Sequence, residues 1–97
     1  MLQKEKRVKL YGKKLRQLNH EIFERDGYAC IVCGRYVSEN RKFHHEPNGQ
    51  NKSDEITCGV VLCDQCHRLR HDSAQLKNIK AKCEMYLKKL YGGQEDG

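Results

Sequence analysis

The chain has no tryptophan, only two phenylalanines, and no apolar run approaching the roughly 18 residues of a membrane span. The last absence excludes a spanning helix. The other two leave little from which to build a core: 37% of residues are hydrophobic and 33% are charged. A length of 97 residues means one domain at most. A domain that small buries a modest share of its surface and commonly needs a staple. The N-terminus, MLQKEKRVKLYGKKL, lacks the apolar stretch of an export signal. Without one, the six cysteines do not read as a secreted disulfide framework. We expect reduced thiols and a cytoplasmic location. No internal repeat or low-complexity block is present. A bound metal is the staple that remains.

Positive charge is concentrated at one end. The net charge is +6 and the pI about 9.1. Residues 1–16 carry seven Lys and Arg against one acid, Glu5, and the rest of the chain is balanced. A basic arm on a neutral domain suggests a polyanionic partner. The competing reading is a solvated, frayed terminus. We divide the chain into a basic arm at 1–12, a domain at 13–91 and a flexible tail at 92–97.

Apolar spacing outlines the domain. Leu15, Leu18 and Ile22, with Phe23 beside them, predict a helix at about 13–26, ended by Asp26-Gly27. Residues 35–46 predict a first strand, and Pro47, Asn48, Gly49 and Asn51 a loop. A second strand is expected at about 56–62. Cys63 to His71 should turn into a short helix. Asp72-Ser73-Ala74-Gln75 resembles a capped helix start. Leu76, Ile79, Cys83, Leu87 and Leu90 then line one face of a final helix, closed by Gly92-Gly93.

Two cysteine pairs, Cys30-x2-Cys33 and Cys63-x2-Cys66, bracket a 29-residue excursion. Zinc takes four thiolates in a tetrahedron, and a two-residue spacer lets both thiols of a tight turn reach one ion. We expect a closed structural Zn2+ site, contributing on the order of 10 kcal/mol of apparent binding energy to folding. The alternatives are a pair of redox motifs or unrelated core cysteines. Cys83 lies on the apolar stripe of the last helix and reads as core.

Four of the five histidines form a second constellation: His44-His45 and His67-x3-His71. Adjacent strand residues point to opposite faces, so His44 and His45 take different roles. His67 and His71, four apart on a helix, face one way. His44, His67 and His71 would be three nitrogen ligands with coordination positions left open, the catalytic arrangement. His45 is left as a base near neutral pH. The plainer readings are a helix cap or an extension of the zinc site. His20 reads as a surface residue.

Phe23-Glu24-Arg25-Asp26-Gly27-Tyr28-Ala29-Cys30, Cys33-Gly34, His44-His45-x-Pro47 and Gly59-Val60-Val61-Leu62-Cys63-x2-Cys66-His67-x3-His71 together resemble the four-cysteine HNH endonucleases. The resemblance covers about residues 15–73. It implies a small α+β fold: a ββα-metal core, a structural four-cysteine zinc site and flanking helices. It implies hydrolysis of DNA phosphodiester bonds, with DNA as partner and neither membrane nor small-molecule substrate. By the family pattern His44 and His67 are metal ligands, His71 matches a further ligand, and His45 is the general base. The catalytic ion is expected to be Mg2+ or Mn2+, although imidazole ligands also suit Ni2+, Co2+ and Zn2+. Arg68 and Arg70 are candidates for holding phosphate oxygens, or else solvated helix charges. Nothing resembles a base-reading helix, so nicking with low sequence specificity is expected; the oligomeric state stays open.

One position departs from the pattern. Counting back nine residues from His67, where the family has Asn, gives Cys58. That Asn pins the loop between the strands, and a thiol is a weak donor and acceptor. A looser His45, a slower enzyme or a changed metal preference is the expected consequence. The alternative function is a non-catalytic, zinc-stabilised nucleic-acid-binding module, a degenerate HNH domain. A third reading is a protein-interaction zinc domain. Neither rival needs the His44/His45 pair.

Overall fold

The computed structural model describes residues 8–46, 53–72 and 74–92. Helix α1, Gly12–Arg25, buries Leu18, Ile22 and Phe23. It stops where expected. The Asp26 N–H still bonds back to Ile22 O at 3.0 Å, after which Gly27 (φ +70°) and Tyr28 (φ +57°) turn the chain left-handed. A single bridge between Ala29 and Tyr36 then closes the first cysteine turn. Gly34, at φ +81°, completes that turn by donating to Cys30 O at 2.8 Å.

The sheet is smaller than the pattern suggests. Strands β1 (His44–His45) and β2 (Gly59–Val60) pair antiparallel, with His44 opposite Val60 and His45 opposite Gly59. The expected strand at 35–46 contracts to its last residues before the bend. Its start is taken by the Tyr36 bridge and its middle by a 3-10 turn at Glu39–Arg41, capped by Ser38. Lys42 at φ +62° then lies outside strand conformation. The expected strand at 56–62 begins instead as a 3-10 turn, Ile56–Cys58. Gly59 is required by contact. A Cβ there would lie 2.5 Å from Phe43 and 2.7 Å from Ile22, so β2 presses its backbone on α1.

Two helices follow: α2, Asp64–Arg70, and α3, Leu76–Leu87, which widens into a π turn at Lys88–Gly92. Ile79, Cys83 and Leu87 of α3 are buried as the spacing predicts. Leu90 is not: it is 44% exposed, because the π turn rotates it off the stripe. Ahead of α3, the Asp72 carboxylate accepts the Ala74 N–H at 2.7 Å. The expected loop at 47–51, Ser73, Gly93 and most of the tail and arm lie outside the described residues. The molecule is thus a small α+β unit with a two-stranded sheet and three α-helices among the described residues. None of those helices is long and apolar enough to cross a membrane.

Candidate metal centres and base

Helix α2 and its two caps carry two residues of each cluster. Cys63 is its N-cap and Cys66 lies in its first turn; His67 follows, and His71 is its C-cap. Seven residues of helix span roughly 10 Å, so one short rod sets the spacing between two sites.

At its N-terminal end the Sγ atoms of Cys30, Cys33, Cys63 and Cys66 lie within 4.8 Å of one another. Cys33 and Cys63 are 3.6 Å apart. The edge of a tetrahedron with 2.3 Å Zn–S bonds is about 3.8 Å, whereas a disulfide requires about 2.05 Å. The four residues are therefore placed to hold one metal ion, consistent with a structural zinc. Cys30, Cys63 and Cys66 are buried and Cys33 is exposed. The Ile31 N–H donates to Val61 O at 3.0 Å and ties the first turn to the second. Burial opposes ionisation of Cys30, but the backbone N–H groups of Cys33, Cys63 and Val32 outweigh it and bring the thiol down to about 7. Cys66 is pushed up by burial and by Cys63 and Cys30.

At the other end, ring nitrogens of His44, His67 and His71 also lie within 4.8 Å of one another. The ring centroids are 5.1, 6.1 and 5.0 Å apart for the pairs 44/67, 44/71 and 67/71. His44 is buried; His67 and His71 are exposed. Desolvation of its ring, then the charges of His44 and His71, lower the pKa of His67. That keeps it in the neutral form a metal requires. Three nitrogens on one ion would leave coordination positions open.

Behind His44 lies a carboxylate that residue spacing alone did not single out. Glu46, two positions on and therefore on the same side of the strand, accepts His44 Nε2 at 3.0 Å. Arg70 holds Glu46 with two donors, Nε at 3.0 Å and Nη2 at 3.1 Å. Burial pushes the Glu46 carboxyl up, and His44 and Arg70 more than reverse it, leaving it below the ordinary glutamate range. A carboxylate on one nitrogen of a ligand histidine fixes its tautomer and leaves the other nitrogen for metal. Arg70 is thereby removed from the phosphate-binding candidates: it is 4% exposed and paired through Nε and Nη2 with Glu46. Its neighbour Arg68 is exposed.

His45 takes the other face of β1. Its ring packs on Phe43 at 4.7 Å between centroids, and its Nε2 lies 2.7 Å from Asp54 Oδ1. It opens on a groove of about 620 Å³ between α1 and residues 39–43, lined by Leu15, Arg16, Lys42, Phe43 and Asp54 among others. Comparison of the chain with protein-family models, with curated proteins and with solved structures gives no match in any of the three.

The loop around Cys58 is held by groups other than the side chain at that position. Arg25 Nη1 donates to Ile56 O and Nη2 to Gly59 O, both at 2.6 Å, and so straddles Cys58. Asp26 accepts the Val61 N–H at 2.9 Å and the Tyr86 hydroxyl. Glu46 N–H reaches Cys58 O at 3.0 Å across the strands. Side chains and backbone from outside position 58 thus pin the loop through its own backbone. Cys58 itself is half-buried and belongs to neither cluster. His20, as expected, is a surface residue, bonded to Glu39 at 3.1 Å.

Proposed function

We propose that the protein is a metal-dependent endonuclease with an HNH-type ββα-metal core, hydrolysing DNA phosphodiester bonds with little sequence preference. The observation that carries this reading is the division of the histidines. Three imidazoles converge on one point at the end of α2, and a fourth, next to His44 in sequence, stands apart beside a carboxylate. A structural zinc domain has no use for the second set.

The donor set fits a divalent ion: neutral nitrogen ligands, one of them backed by Glu46, with coordination positions open. Bound there, such an ion, Mg2+ or Mn2+ in use, would supply Lewis-acid stabilisation of the charge gathering on the phosphate and the departing 3′ oxygen. His45 takes the proton from a water molecule. The resulting hydroxide attacks phosphorus in line, and the 3′ oxygen leaves with a proton from solvent. The products carry 5′-phosphate and 3′-hydroxyl ends. Exposed cations hold the strand: Arg68 beside the site, and Lys9, Lys13, Lys14 and Arg16 on the arm and the first turn of α1. Contacts to the backbone give affinity that falls with salt and reads no sequence.

The test is nicking of supercoiled plasmid with Mg2+, Mn2+, Co2+ or Ni2+, with an EDTA control and with His45→Ala. Nicking that needs the metal and disappears in a folded His45→Ala supports the reading. Retained DNA binding without cleavage in any metal overturns it and leaves the zinc-stabilised binding module.

A further inference from the structure

Asp54 is the group no sequence motif singles out, and both of its oxygens are committed. Oδ1 takes His45 Nε2 at 2.7 Å, and Oδ2 takes the Leu10 N–H at 2.8 Å. The backbone around it is equally held. Asp54 N–H donates to Val8 O at 2.8 Å, and Val8 N–H donates to the Ser53 hydroxyl, also at 2.8 Å. The Ser53 hydroxyl in turn donates to Glu55. Residues 8–10 of the basic arm are therefore docked on 53–54. The carboxylate they clamp cannot rotate without breaking a hydrogen bond.

We infer that Asp54 is the positioning residue of His45, and that the docked arm holds it in register. A carboxylate only accepts, so the shared hydrogen is on His45 Nε2. A neutral imidazole has one N–H, which leaves Nδ1 with the lone pair that takes the proton from water. The logic repeats that of His44 and Glu46 on the other face of the strand. Each histidine of the pair spends Nε2 on a carboxylate and keeps Nδ1 for chemistry. Asp54 also explains why His45 is held although position 58 is not Asn. The restraint acts on the ring itself, from the loop and the arm, and not through the side chain at 58. Both His45 and Asp54 line the groove beside α1, so the oriented imidazole faces space that a strand can enter.

The inference deepens the nuclease reading and rests on it for its kinetic part. Asp54→Asn is close to isosteric but reverses polarity at one atom. Its oxygen satisfies Leu10 N–H, and its NH2 then meets His45 Nε2 as a donor, which selects the opposite tautomer. Two readouts apply to the full chain. Long-range 1H–15N correlation in mildly alkaline buffer reports the tautomer with no substrate present. The wild type is expected as Nε2–H, and Asp54→Asn as Nδ1–H or a mixture. Steady-state nicking is expected to lose about 10²- to 10⁴-fold in kcat, the ordinary contribution of a positioned base, with KM changed less than about threefold. Zinc content should be unchanged. A wild type in the Nδ1–H form, or an Asp54→Asn with wild-type tautomer and kcat, overturns the inference. If the wild type cuts nothing but the tautomer switches with Asp54→Asn, the nuclease reading falls and the Asp54–His45 assignment stands.

Discussion

The thiolate and imidazole clusters occupy the two ends of α2, and they differ in what surrounds them. Three of the four cysteines are buried, and their turns are tied together by the Ile31–Val61 backbone hydrogen bond. Only one of the three histidines is buried; the other two stand in solvent. A closed thiolate set holds elements together, because every ligand comes from a segment that would otherwise drift. A set of three imidazoles leaves coordination positions vacant and ties fewer segments together. Their sharing of α2 is the lesson of the comparison. A metal held by the four cysteines would fix a seven-residue helix too short to stand alone, and that helix presents His67 and His71 to His44. Rigidity made at the closed end is delivered to the open end.

Breaking the closed end should have the largest effect. Chelation of zinc, or Cys63→Ser, removes binding energy on the order of 10 kcal/mol, comparable with the whole stability of such a domain. Loss of α-helical circular dichroism at 25 °C checks this, and retention of the wild-type spectrum would mean that the apolar core suffices. Next is the buried bridge behind the open end. Arg70→Ala leaves the Glu46 carboxylate with the His44 hydrogen bond but without its guanidinium, and losing one partner of a buried ion pair costs about 3–5 kcal/mol in denaturant unfolding. Glu46→Gln combined with Arg70→Met should recover part of that loss, because no charge is then left without a partner. The open end itself should be nearly free of structural consequence. His67→Ala or His71→Ala is expected to change stability by within about 0.5 kcal/mol, as exposed substitutions do. Each should abolish a second equivalent of bound Co2+ in absorption titrations. Equal destabilisation by cysteine and histidine variants would erase the contrast between the ends.

His20 lies outside both clusters, and its contribution is minor. Its hydrogen bond to Glu39 raises its pKa above the ordinary 6.5, and the same contact, with Tyr28, lowers Glu39 below 4.5. A raised histidine adds stability that is complete below the unfolded value and fades as pH rises through the folded one. A lowered glutamate adds stability above its unfolded value. The pair therefore contributes between those limits. His20→Ala should lower Tm slightly at about pH 5.5 and leave it unchanged at about pH 8.5. Metal stoichiometry should stay at the wild-type value at both pH values, which separates an ordinary surface histidine from the clustered ones.

Much of this was legible along the chain because it is written in local spacing. Leu18, Ile22 and Phe23 mark the buried face of α1, and Asp26-Gly27 marks its end. The Cys-x2-Cys pairs and the four-residue step from His67 to His71 follow from the geometry of a turn and a helix, which a few neighbouring residues suffice to set. The strands were overestimated because β-pairing is a property of two segments. Residues 35–43 have strand-like composition but meet a cysteine turn and α1 instead of a partner. Leu90 followed the helical stripe until a π turn, invisible to periodicity, carried it off.

Written into the chain itself, therefore, are the chemistry present and its local repeat: which residues can ligate, which faces are apolar, where the charge lies. Pairing at a distance waited for the fold. Arg70 met Glu46 rather than solvent, Arg25 took the carbonyls of Ile56 and Gly59, and Asp54 joined His45 to the arm. The physical reason is common to all three. A buried donor or acceptor must be satisfied by whatever group folding brings within about 3 Å, and no single segment of the chain specifies which group that will be.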